Sequence, residues 1–341
     1  MKISVGARFA CALLVGAVTL PGCESAAPAT PFVAARRLLQ QRIAPARASW
    51  MDPAAKSIKR LLYVADIVTN DVFVYNYDTG GMVGQLTGFA APGGLCVDAT
   101  GDVWITNYTA LTIDEYAHGG TQQIGRVHTA KMTTGCAVDP TTGDLAATWA
   151  GPGAVLRWKN ARGRVDGYYN TGCVYLWPPG YDDQGNLYVE GESTTGIFNI
   201  CELPHGSKTL RTVSSNVPID YPAGVTWDGK YLVLADQTYQ DSKYSGLYRA
   251  TEDASGNLTE VSGTELVTGD CDADDVIVPF IVGKKNTPLN REQGTVVLGP
   301  SVACRDQFYY WAYPAGGDPT KTLAYPALAD GEAVSIATGK P

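Results

Sequence analysis

The chain is 341 residues long and 45% hydrophobic, with 26 Lys and Arg against 34 Asp and Glu, a net charge of −8. That length supports a large core in one domain or two, while 38 Gly and 19 Tyr with few runs of Ala, Leu, Glu and Lys exclude a helical bundle and favour short strands and turns. The acidic excess argues against nucleic-acid phosphates as partners.

Residues 1–23, MKISVGARFACALLVGAVTLPGC, read as an export signal. Lys2 and Arg8 precede an apolar run, Phe9–Leu20, that is too short for a permanent membrane span. Gly22–Cys23 resembles the lipobox of bacterial lipoproteins, and the resemblance implies lipidation of Cys23. Pro21 stands where that motif has a small or hydroxylated residue, and an ordinary signal peptide is the other reading. Residues 24–60 read as an Ala/Pro-rich basic tether, broken by Pro28, Pro31, Pro45 and Pro53. The tether holds seven Lys or Arg and two acids, which leaves 17 bases against 32 acids from Leu61 onward. A basic linker beside an acidic body is the plain reading, and contact of the tether with anionic lipid headgroups is the functional one.

From residue 61 one phrase recurs. GLCVDATGDVWITN (94–107), GCAVDPTTGDLAATW (135–149), GYDDQGNLYVEG (180–191) and GVTWDGKYLVLAD (224–236) each give an apolar strand, an Asp- and Gly-containing turn and a second strand, which predicts a hairpin. A third strand with an aromatic near its end follows each hairpin, and then a turn and a short fourth strand. The interval is 41 residues from Asp98 to Asp139 and 43 from Asp139 to Asp182. Four short strands at a period near forty predict an all-β, six-bladed β-propeller of four-stranded antiparallel blades over residues 61–341. Leu61–Asp66 reads as a second strand with no first strand before it, and Tyr325–Ala337 as a first strand with no successor. Pairing of the chain termini therefore completes one blade. The sixth blade runs from about Leu266 to Pro326, with an irregular first half.

The phrase Pro-x-Gly, apolar strand, Asp-x-x-Gly-Asp/Asn and VWITN or LYVEG resembles the NHL-type repeat of exported bacterial propellers. The resemblance covers residues 61–341 and implies the fold; that group includes lyases, lactonases and binding modules alike.

No GxSxG elbow, P-loop or GxGxxG is present. His118 and His205 fall in equivalent turns at the outer edge, and His128 in a link between blades. The second strands end at Asp66, Asn107, Glu190 and Asp236, with Trp149 and Gly191 interrupting the series. In a closed ring these four oxygen-bearing side chains share one mouth, where they make a candidate ligand site and a candidate Ca²⁺ site. As turn-starting residues they equally carry no ligand at all. Tyr168, Tyr169, Tyr175, Trp177 and Tyr181 suit either a sugar or peptide ligand or packing between blades. The expected disulfides are Cys96–Cys136, Cys173–Cys201 and Cys271–Cys304. The favoured function is an exported, lipid-anchored, monomeric module that binds a protein, peptide or glycan at the periplasmic or cell surface, or is secreted if Cys23 is not lipidated. It needs no cofactor. The alternative is a metal-dependent hydrolase or lyase, lactonase-like, acting at the axial mouth.

Overall fold

A computed structural model describes residues 48–149, 151, 153–241, 244–268, 280–283, 294–298, 307–325, 327–329 and 331–338. Among these the strands form six antiparallel sheets, here sheets I to VI in chain order. Sheet II is typical: Pro92–Val97, Val103–Asn107, Thr112–Tyr116 and Gln123–His128 pair in sequence order. Sheets III (Thr133–Tyr168), V (Pro222–Leu266) and VI (Phe280–Ala324) repeat that order. In sheet IV the first strand is split into Tyr175–Leu176 and Gly180–Tyr181, both paired with Leu187–Glu192.

Sheet I is completed from both ends, as expected from sequence. Arg60–Asp66 pairs on one side with Asp71–Asn76 and on the other with Gly331–Thr338, in a register that sets Leu61 opposite Ala337 and Val64 opposite Val334.

Strand alternation sends successive side chains to opposite faces, and both faces of each sheet are buried. Leu61, Tyr63 and Ala65 face sheet II and pack with Val103, Ile105 and Tyr116. Their neighbours Leu62 and Val64 face sheet VI and pack with Phe308 and Tyr310. Further apolar layers lie between II and III, III and IV, IV and V, and V and VI. The six layers therefore close on themselves. The first strand of each sheet lies innermost, and here the repeated glycine has its reason. A Cβ on Gly94 would fall 2.5 Å from the Cα of Gly135 in the next sheet, so the inner strands meet backbone to backbone.

The tether boundary at residue 60 lies too late in the chain. Trp50–Met51 adds a fifth, outer strand to sheet I, and a short 3₁₀ turn, Pro53–Ser57, buries Ala55 completely. Pro53 suggests a break in the sequence, but it sits in the first turn, where a missing N–H costs nothing. Asp52 caps that turn by accepting from Ala54 N at 2.8 Å. The signal, Cys23 and the tether as far as residue 47 lie outside the described residues.

Two expected disulfides are present. Cys96–Cys136 joins the inner strands of sheets II and III, and Cys173–Cys201 joins the approach to sheet IV to its third strand. The second bridge has to cross the intervening strand. It does so beside Gly191, where a Cβ would lie 2.8 Å from Cys173 Cβ. Cys271 and Cys304 lie outside the described residues. Disulfides fit an oxidising, extracytoplasmic compartment, and among the described residues no helix is long and apolar enough to cross a membrane.

Candidate functional site

The second strands end on the face that also carries the links into the inner strands. All four predicted site residues lie there and are buried, and each holds main-chain amides. Asp66 Oδ1 accepts from Val68 N and Thr69 N at 3.0 and 2.9 Å, and its Oδ2 accepts from Ala329 N at 2.6 Å. Asn107 Oδ1 accepts from Ala90 N at 2.8 Å. Asp236 Oδ1 accepts from Tyr221 N and Thr238 N, and its Oδ2 from Asp220 N, at 2.9–3.1 Å. Glu190 Oε2 accepts from Ala223 N and Gly224 N at 3.2 and 2.7 Å. The shared role is a clamp: the end of a second strand fixes the chain entering an inner strand, in its own sheet or, for Glu190, in the next. Amides left without such acceptors would be buried and unpaired.

Glu190 differs from the other three. It is 1% exposed, and among the described residues its second oxygen, Oε1, has no hydrogen-bond partner. Burial, and then the Asp236 carboxylate, raise its carboxyl well above the usual range, against the lowering effect of the two amides. The Asp236 carboxyl is also raised by burial, and its three amide bonds offset part of that shift.

Glu190 lies in a cleft of about 110 Å³ between sheets IV and V. Phe198, Ile200 and Val213 line it from sheet IV, and Ser215, Val217 and Ile219 from the link between the sheets. Trp177, Phe198 and Tyr221 stand beside it as a mutual edge-to-face triangle, with centroids 5.8–6.1 Å apart. Such aromatic pairs hold their geometry firmly. On the same face Ile197 is 60% exposed and Tyr169 64%, and Tyr175 is exposed as well. Of the aromatic residues singled out in the sequence, Tyr168 and Trp177 are buried and Tyr181 is half-buried. Trp149 does not open onto a site; Lys131 Nζ lies over its ring at 4.3 Å.

No protein-family description matches the sequence, and no curated protein does. Solved structures do match by shape. A protein of unknown function from Bacteroides caccae superposes with a TM-score of 0.57 at 12% identity, over 82% of this chain and 99% of that one. A chain of a nidogen/laminin complex gives 0.60 at 14%, over 83% and 99%. Hydrazine synthase of Kuenenia stuttgartiensis gives 0.52 at 12%, over 77% and 75%. The chain is a β-propeller. At these identities the likeness extends to the fold and no further.

Around the propeller the histidines are dispersed. His118 Nε2 meets Ile58 O at 2.8 Å and holds the N-terminal segment against sheet II. His205 is half exposed, 3.9 Å from Asp139, and His128 is exposed. The cleft-lining residues were missed in the sequence. One signal was available: the link 214–221 between sheets IV and V is longer than 87–91, 129–132 or 169–174, and it carries Pro218 instead of a glycine turn.

Proposed function

We propose that this protein is an exported binding module, a single six-bladed ring of the NHL type carried on a lipid at Cys23, whose ligand is a peptide segment of a partner protein. One observation carries the ligand assignment: among the described residues the buried Glu190 has no hydrogen-bond partner for its Oε1, and it lines the cleft between sheets IV and V. A cleft of about 110 Å³ has room for one short side chain. A polar group of the peptide entering with it would meet Glu190 Oε1. The exposed Tyr175 and Ile197 and the partly exposed Phe198 extend the contact outward. Aromatic and aliphatic surface of this kind anchors peptides. A glycan would engage the same aromatic rings and is the competing outcome of the test.

The test is a peptide array and a glycan array, probed with the purified chain and with Ser215→Trp, which places a bulky ring on the cleft rim. Peptide binding that falls at least tenfold in the variant and is unchanged in His205→Ala supports the reading. Binding confined to glycans, or peptide binding indifferent to Ser215→Trp, refutes it. Hydrolytic turnover of a lactone or ester panel by the wild type would show an enzyme instead.

A further inference from the structure

The opposite face carries a larger cavity, of about 270 Å³, in the groove between sheets II and III. Asp98, Trp104 and Glu115 line it from sheet II, and Asp139, Asn160 and Arg162 from sheet III. Asp98, Asp102 and Glu115 each place a carboxylate oxygen within 4.8 Å of the others.

Comparison between the sheets shows how unusual this is. In sheets III and V the position equivalent to Glu115 is an arginine, which pairs with an acid of the hairpin turn: Arg157 with Asp144 at 3.8 Å and Arg249 with Asp228 at 3.2 Å. In sheet IV the position is an acid, Glu202, and the residue opposite it is Arg211, which donates to it from Nε at 2.8 Å. In sheet II the position is an acid and the residue opposite is Gly125. A Cβ on Gly125 would fall 2.0 Å from Glu115 Oε2, so the glycine makes room for the carboxylate and removes any side chain that could neutralise it.

The turn itself is locally satisfied on one side only. Asp98 Oδ1 accepts from Thr100 N, Thr100 Oγ1 and Asp102 N at 2.7–3.0 Å. Asp102 accepts from Thr100 Oγ1 at 2.9 Å and from His118 N at 3.2 Å. Among the described residues, Asp98 Oδ2 and both oxygens of Glu115 have no hydrogen-bond donor and no ion-pair partner within 4 Å. Burial, then Asp98 and Asp102, push the Glu115 carboxyl up to about 7, with Arg162 offsetting part of the effect.

An independent observation points to a bound group. Trp104 lies directly across the strand pair from Glu115, lines the cavity and is 3% exposed, and its indole Nε1 is buried with no partner. A buried indole N–H ordinarily finds an acceptor. Among the described residues no protein atom supplies one here.

We infer that this groove is a Ca²⁺ site, with Asp98, Asp102 and Glu115 as carboxylate ligands and the Trp104 indole N–H donating to a water or other oxygen that completes the coordination. The donor set is all oxygen, which selects a hard cation. Two oxygens bound to one Ca²⁺ at about 2.4 Å lie at most about 4.8 Å apart, so the present spacing admits the ion with small adjustments. Mg²⁺ demands tighter octahedral geometry. The site lies on the other face from the Glu190 cleft and does not depend on the peptide-binding reading.

The test is calorimetric titration of the chelator-stripped chain with CaCl₂ and MgCl₂, together with thermal melts in EDTA and in 5 mM CaCl₂. Expected are one Ca²⁺ per chain, a higher Tm in CaCl₂ and a weaker response to Mg²⁺. Glu115→Gln and Gly125→Ala should each weaken Ca²⁺ binding at least tenfold, while Asp166→Asn, an acid elsewhere on sheet III, should not. In EDTA, Glu115→Gln should melt no lower than the wild type, because it relieves carboxylate repulsion; this separates loss of a ligand from loss of the fold. No Ca²⁺ uptake at millimolar concentration, uptake unchanged in Glu115→Gln, or tighter binding of Mg²⁺ would each overturn the assignment.

Discussion

Replacing Glu190 by Gln and by Leu separates the two roles of this side chain. Glutamine keeps an oxygen for Ala223 N and Gly224 N and has nothing to protonate. Leucine removes the oxygen and strands both amides. An unpaired buried N–H costs about 1–3 kcal/mol; allowing for the polar atom that leucine also removes, Glu190→Leu should lie about 2–4 kcal/mol below Glu190→Gln at every pH. For a chain of this size that is about 3–7 °C in Tm. The wild type should behave differently, because its folded carboxyl titrates above the unfolded value of about 4.5. Folding then takes up a proton. The stability associated with this group is fully present below pH 4.5 and is lost as the pH rises towards the folded pKa. Between the unfolded and the folded value the loss grows by about 1.36 kcal/mol per pH unit. Urea melts of the three proteins between pH 4.5 and 8 should therefore show Glu190→Gln gaining on the wild type as pH rises. Parallel wild-type and Gln curves would mean that the carboxyl is ionised in the fold. Coincident Leu and Gln curves would mean that the clamp contributes nothing.

Three further outcomes are expected. Cys23→Ser should move the protein from the membrane fraction to the soluble fraction, and unchanged fractionation would remove the lipid anchor. Cys96→Ser should cost about 4 kcal/mol, as expected for a bridge across 40 positions, and reductant sensitivity that remains in denaturant melts should be lost on further substitution of Cys201. His118→Ala removes the contact with Ile58 O, and limited proteolysis should then cut within residues 48–58 while the sheets stay intact; an unaltered digestion pattern would show that segment to be held by other contacts.

The architecture was legible because the repeated phrase encodes local events that recur in phase: the inner-strand glycine, the turn-closing Asp and the alternating second strand. Asp98, Asp139, Asp182 and Asp228 each accept from main-chain N–H groups of their own turn, which is a short-range interaction written into a few residues. The joining of Leu61–Asp66 to the C-terminal strand was readable for another reason: each end was missing the strand that the other supplied. The site was less legible. Asp66, Asn107, Glu190 and Asp236 could be placed on second strands, but whether an oxygen faces solvent or an amide depends on the path of the link beside it, which periodicity does not report. Neither the Glu190 cleft nor the acidic groove could be read in one repeat, since each is assembled from two neighbouring sheets. The groove emerges only when the same position is compared across sheets, and Glu115 opposite Gly125 breaks a pattern kept by Arg157, Arg249 and the Glu202–Arg211 pair.

The strand Gly331–Thr338 carries a consequence for how the molecule is made. Leu61 waits for a partner 276 positions away, at Ala337. Until that strand arrives, the inner edge of Arg60–Asp66 offers unpaired N–H and C=O groups, and the apolar faces of sheets I and VI lack their mutual cover. A nascent chain crossing a membrane from its N-terminus therefore emerges with its first sheet already threaded and still unfinished. Contacts this distant in sequence form slowly, so closure of sheet I is the late step of folding. In the finished ring Gly331–Thr338 covers that edge.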